Sequence, residues 1–216
     1  MSTAELLVRA HQNYTEGGIE GLSSYEEEKI LKQFGFIREG ESRLPLYDFP
    51  LVVEIVDPRA ELPQYARLRD TGMDVQAWPM DAEGIPVAAI SIPPQVTVVI
   101  PTGLKVGLPD GWGLQVRPRS GVSLKTPLRV ANAPGTIDTD YKDVVGVIIH
   151  NSSPLGTEGN FYDLNTKGNL PGTYIINAGD RIAQIVGEKV YKMKVVSGLA
   201  ASIGSNRGGG FGSTGV

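Results

Sequence analysis

Tyr174-Ile175-Ile176-Asn177-Ala178-Gly179-Asp180-Arg181-Ile182-Ala183-Gln184-Ile185-Val186 contains two short apolar runs separated by a turn signal. Tyr174 to Asn177 and Arg181 to Val186 follow the two-residue period of strands, and Asn177-Ala178-Gly179 bends the chain between them. The same period runs back to about Leu44. It marks Leu51 to Val56, Gln95 to Ile100, Leu104 to Leu108, Leu114 to Arg117 and Val144 to Ile149, with Pro93-Pro94 and Pro109-Asp110-Gly111 as further turns. Many short strands in a chain with 27 glycines and 15 prolines predict an all-β fold, a sandwich or barrel of antiparallel strands. Residues 151–173 interrupt the pattern as a long polar loop with few anchors, and a loop of that length is either functional or loose. There is no internal repeat.

Before Leu44 the period is helical. Ser2-Thr3-Ala4-Glu5 and Ser24-Tyr25-Glu26-Glu27 have capping-box spacing. Apolar positions Leu6, Leu7, Ala10 and Ile30, Leu31, Phe34 follow them, Gly17-Gly18 separates the two helices, and Gly35 can end the second. Two short helices bury no core of their own, so they pack on the main domain, bind a partner or form a mobile arm. The expected organisation is a helical extension over 1–43, a β-domain over 44–200 and a tail over 201–216.

Composition narrows the chemistry. A net charge of −4 argues against a general nucleic-acid binder, so any anionic ligand must be met by local donors. With no cysteine, disulfides, thiolate catalysis and thiolate metal sites are excluded. His11 and His150 are too few for a histidine metal cluster. No apolar run reaches membrane-spanning length, and the N-terminus lacks the basic-then-apolar order of a signal peptide, so the cell interior is the expected location and no membrane partner is expected.

Five segments carry polar residues that a plain β-domain does not need. Thr71-Gly72-Met73-Asp74 reads as a turn entering a strand or as part of a site. Arg117-Pro118-Arg119-Ser120-Gly121 sits at a strand end. It is a surface basic patch or a phosphate cradle, in which Arg119 grips oxygens bidentately and Gly121 admits close approach. Asn132 has the donor and acceptor to match one edge of a pyrimidine. The carboxylates of Asp138-Thr139-Asp140 position a water, bind a cation or close an Asx turn. Gln184 shares a strand face with Ile182 and Val186, so its amide needs a partner, in the core or in a ligand. The C-terminal Arg207-Gly-Gly-Gly-Phe211-Gly-Ser213-Thr214-Gly-Val216 is by composition a flexible Gly/Ser end. It also combines backbone N–H groups, hydroxyls, a guanidinium and one flat ring, a kit for a ligand with a base at one end and phosphates at the other.

Taken together and in this order, TGMDVQA, RPRSGVSLK, GTIDTDYKD, GDRIAQIV and RGGGFGSTG resemble the five motifs of the trimeric all-β deoxyuridine triphosphatases, the dUTPases. The resemblance spans roughly Leu62 to Val216, without the N-terminal helices and the long loop. It implies a distorted jelly-roll barrel that forms a homotrimer with shared active sites, hydrolysing dUTP to dUMP and pyrophosphate. Such an activity limits uracil incorporation into DNA and supplies dUMP for thymidylate synthesis. By the same resemblance Asp138 activates the attacking water, Asn132 reads uracil, and Tyr141 packs beneath the deoxyribose and leaves no room for a 2′-hydroxyl. Arg119, Ser120, Gly121 and Gln184 hold the phosphates, with Asp74 in support. From the tail, Phe211 stacks on uracil while Arg207, Ser213 and Thr214 reach base-side or phosphate groups. Mg2+ is implied on the triphosphate and water, with no protein ligand.

The sequence departs from the family pattern in places. Lys142-Asp143 stands where a basic residue and then glycine are more usual, and Asp70-Thr71 where small residues are usual. If Asp143 needs a positive φ, aspartate tolerates it better than a β-branched residue would. Three other readings are weighed. A dCTP deaminase needs a glutamate on the strand after the third motif, where Ile148 stands. A P-loop hydrolase needs a lysine before Ser213 and a helix after it, and has neither. A nucleotide-sensing regulatory protein would use the helical arm and the 151–173 loop as partner surfaces.

Overall fold

The computed structural model describes residues 36–39, 42–45, 50–67 and 69–198. The two helices expected before Gly35 and the tail motif with Arg207, Phe211, Ser213 and Thr214 lie outside the described residues. Within the 1–43 segment and just beyond it, β1 (Phe36–Glu39) and β2 (Ser42–Pro45) pair as an antiparallel hairpin. There follow β3 (Val52–Ile55), β4 (Met73–Gln76), β5 (Ala89–Ile92), β6 (Thr97–Pro101), β7 (Leu104–Gly107) and β8 (Trp112–Pro118). A short helix, α1 (Ser120–Lys125), precedes β9 (Leu128–Val130) and β10 (Gly135–Ile137). The described chain ends with β11 (Gly146–Asn151), β12 (Phe161–Asp163), β13 (Thr173–Asn177), β14 (Arg181–Lys189) and a segment without regular secondary structure. No helix among the described residues is long and apolar enough to cross a membrane.

Every strand expected from the two-residue period is present. The additional ones, β1, β2, β4, β5, β9, β10 and β12, are three or four residues long. Strands remote in sequence pair with one another, giving sheets ordered β10-β8-β14-β4, β6-β11-β9, β12-β13-β5 and β3-β7. Pairing is antiparallel except between β12 and β13. Small antiparallel sheets closed by such crossovers are a jelly-roll arrangement. The core lies between them. On β11 burial alternates without a break, sending Val147 and Ile149 inward against Ile100, Leu128 and Tyr174.

β13 and β14 do not pair with each other. β13 joins β5 while β14 joins β4 and β8, so the turn between them is a corner from one sheet to another. Gly179 takes φ +87 there, and the Asp180 carboxylate accepts the Asn177 backbone N–H at 2.8 Å. A second corner follows β3. Gly103, at φ +67, has no room for a Cβ, which would meet the Asp57 Cβ at 2.7 Å. Buried Asp57 accepts the Arg59 side chain at 3.0 and 2.7 Å, and the same guanidinium lies 5.2 Å from the Trp78 ring. These hydrogen bonds from Arg59 hold the Asp57 carboxyl below its usual range.

The 151–173 loop is better anchored than its polar sequence suggests. Buried Asn151 donates to the carbonyls of Ile92 and Gly172 at 2.8 Å each, and the Ser153 hydroxyl accepts the Gly172 N–H at 3.0 Å. The Thr173 hydroxyl donates to the Glu158 carbonyl, and Asn169 N–H donates to the Lys125 carbonyl at the end of α1. Small polar side chains and backbone groups hold the ends of this loop, while Tyr162 and Leu164 pack against the core from its middle, with the Tyr162 ring 5.7 Å from that of Tyr174.

Candidate active site

One sheet carries both groups of polar residues picked out in the sequence, on opposite edges. At one edge is β4, with Asp74 facing Gln184 of β14 in register. Arg119 lies just past the end of β8 and makes the turn into α1 with extended backbone angles. Its Nε donates to Asp74 Oδ1 at 2.8 Å and its Nη2 to Oδ2 at 3.0 Å, a bidentate fork. Gln184 Nε2 adds a hydrogen bond to Oδ1 at 3.2 Å. The half-buried Gln184 amide therefore finds its partner in this carboxylate, and Asp74 is the hub of the cluster. Ser120 and Gly121 open α1 beside it. A Cβ on Gly121 would meet nothing within 4 Å, so that backbone is open to a ligand.

Sequence reasoning missed Arg181. It starts β14 directly after the corner, and its Nη1 reaches Asp74 Oδ2 at 3.3 Å. The available signal was its place as the first strand residue after Gly179-Asp180. Two guanidiniums on one carboxylate leave a net positive cluster suited to anionic oxygens. A cleft of about 490 Å³ opens beside it, walled by Leu62, Pro63, Trp78 and Leu104 with Asp74 and Arg181 on its polar side.

The opposite edge is β10. Asn132 precedes it, Asp138 follows it, and both are exposed. The Asn132 side chain folds back over Gly135, where a Cβ would meet its Nδ2 at 3.0 Å and the Val116 Cβ at 3.3 Å. The turn after Asp138 is tied locally. Tyr141 N–H donates to the Asp138 carbonyl at 3.1 Å, the Tyr141 hydroxyl to the Val144 carbonyl at 2.9 Å, and the Thr139 hydroxyl to the Trp112 carbonyl at 2.8 Å. Asp143 needs no positive φ: among described residues other than glycine only Gln95 and Asn169 adopt one.

Register gives the distance between the two groups. Ile137 pairs with Leu114, five strand residues before Arg119, and Asp138 lies one residue further away. At about 3.3 Å per residue that is roughly 20 Å along the strand. Across the sheet, β10 and β4 are separated by two further strands, three spacings or about 14 Å. The two groups of one chain therefore lie beyond side-chain hydrogen-bond reach of a common atom.

The dUTPase family profile matches residues 59–155. A deoxyuridine 5'-triphosphate nucleotidohydrolase from Treponema pallidum is 35% identical over 162 residues, which are 75% of this chain and 95% of that protein. The chain belongs to the dUTPase family. A Rhizobium etli enzyme of the same name is 37% identical over 72% of this chain and 86% of its own. Among solved structures, a mutant dUTPase of Staphylococcus bacteriophage 80alpha with dUpNHpp superimposes with a TM-score of 0.66 at 26% identity, over 77% of this chain and 99% of that one. A dUTPase of phage phi11, described with a structural Mg(II) ion, gives 0.58 at 26% identity, covering 68% and 95%. The all-β barrel with its crossed sheets is thus the dUTPase fold, and the segment from Arg59 through β11 carries the family match.

Proposed function

We propose that this protein hydrolyses dUTP to dUMP and pyrophosphate, in sites assembled from three copies of the chain. The observation that carries the reading is the alignment of dUTP nucleotidohydrolases over three quarters of the chain. Asp138 takes the proton from a water in line with the α phosphorus. The new bond forms between that water oxygen and phosphorus, and the bond to the α–β bridging oxygen breaks, releasing pyrophosphate. Asn132 pairs with the uracil edge, rejecting cytosine because donor would face donor and acceptor acceptor. Tyr141 lies under the deoxyribose.

Arg119, Ser120, Gly121 and Gln184 of a neighbouring copy hold the phosphates, with Asp74 fixing the arginine and the amide. The roughly 20 Å between Asp138 and Arg119 in one chain supports this division. Phe211, Arg207, Ser213 and Thr214 from a third copy close over the nucleotide. The Asp74 cluster is cationic, so it fits Mg2+ only together with the nucleotide's phosphates and water, where the ion offsets charge on the transferring group. An apolar Ile148 on β11, with no acidic residue among Gly146–Asn151, supports hydrolysis over deamination of the base.

The test is pyrophosphate release from dUTP, dCTP, dTTP and UTP at equal concentration with Mg2+. Release from dUTP alone is expected. Equal release from UTP would remove the role given to Tyr141, and ammonia release from dCTP would replace the reading.

A further inference from the structure

Arg181 has no place in the mechanism above, yet it touches the centre of the phosphate-holding cluster. Its side chain is 59% exposed, against 25% for Arg119 and 22% for Asp74. The antiparallel register of β14 against β4 shifts between Arg181 and Ala183, and such irregularities re-aim side chains at sheet edges. Here the shift brings both ends of Arg181 to the cluster. The guanidinium reaches Asp74 Oδ2 at 3.3 Å, and the backbone carbonyl accepts Arg119 Nη1 at 3.2 Å.

Charge gives this contact a purpose. Asp74 and Arg119 alone form a neutral pair with the Nε–Nη2 edge of the guanidinium turned to the carboxylate, a poorer receptor for a triphosphate than a cationic group. A second guanidinium on Oδ2 offsets the remaining attraction of Asp74 for Arg119 and leaves the group net positive. We propose that Arg181 is a positioning residue for phosphate binding: it shares the Asp74 carboxylate so that Arg119 can turn its donors to the nucleotide. This inference rests on the dUTP reading and adds a residue to it. It acts through Asp74, so its effect depends on the Asp74 charge.

The experiment is a double-mutant cycle on the full chain, reading KM and kcat for dUTP and binding of dUMP and a non-hydrolysable dUTP analogue. Arg181→Gln is expected to raise KM for dUTP and weaken analogue binding by about tenfold, with kcat and dUMP binding changed about twofold or less. In an Asp74→Asn background the same change is expected to cost twofold or less, because no carboxylate charge remains to be shared. Arg181→Lys, which keeps the charge, should retain most of the affinity. Equal losses in both backgrounds, equal losses for dUMP and the triphosphate, or no loss in either background would each overturn the proposal. A wild-type protein that does not hydrolyse dUTP would instead refute the underlying reading.

Discussion

Asp74 and Asp138 are both aspartates on the edges of one sheet, and their surroundings separate their roles. Asp74 is held by two arginines and a glutamine amide, so its oxygens are committed within the chain. A carboxylate so occupied orders its partners. Asp138 follows β10 with its side chain exposed, and its backbone carbonyl accepts the Tyr141 N–H. It is therefore open to a water. Asp138→Asn should leave dUTP binding within about twofold of wild type and slow turnover by roughly 10³-fold, the worth of a positioned general base. Single-turnover kinetics with calorimetric binding checks this, and turnover near the wild-type rate would remove Asp138 as the base.

At the scale of elements, the long β8 and β14 form the frame, while the short edge strands β4 and β10 display the polar groups. The 151–173 segment braces that frame by way of the end of α1. Gly172 is its tightest point, since a Cβ there would collide with the Asn160 carbonyl oxygen, a backbone atom that cannot swing aside. Gly172→Ala should cost about 1–3 kcal/mol and lower Tm by several degrees. Thermal denaturation measures this, and an unchanged Tm would mean the loop is not packed as described. The long strands were legible because alternation over five or more residues is visible in Val144 to Ile149 or Arg181 to Val186. β10 was legible as a motif and not as a strand. Its three residues carry no period, whereas the segment from Asn132 to Tyr141 matches a family motif. Arg181 stayed hidden because its contact with Asp74 joins residues 107 apart in sequence. Anchors such as Asn151 and Ser153 stayed hidden because their partners are backbone groups.

The chain after β3 is pinned by the Asp57–Arg59 ion pair, whose guanidinium also packs on Trp78. The Asp57 pKa is lowered on folding, so its stabilising contribution is present above the unfolded-state value, about 4, and is lost as pH falls through the lower folded value. The Tm deficit of Asp57→Asn relative to wild type should therefore be largest near neutral pH and shrink below about pH 4. A deficit that stays constant from pH 7 to 3 would contradict the clamp. In the proposed assembly one site is divided among copies of the chain. Asp138→Asn and Arg119→Ala chains, each inactive alone, are unfolded together, refolded as a one-to-one mixture and assayed for dUTP hydrolysis. If Asp138 and Arg119 serve a site from different copies, random assembly restores about a quarter of the wild-type activity. Activity no higher than that of either variant alone would rule out a site divided between copies in this way.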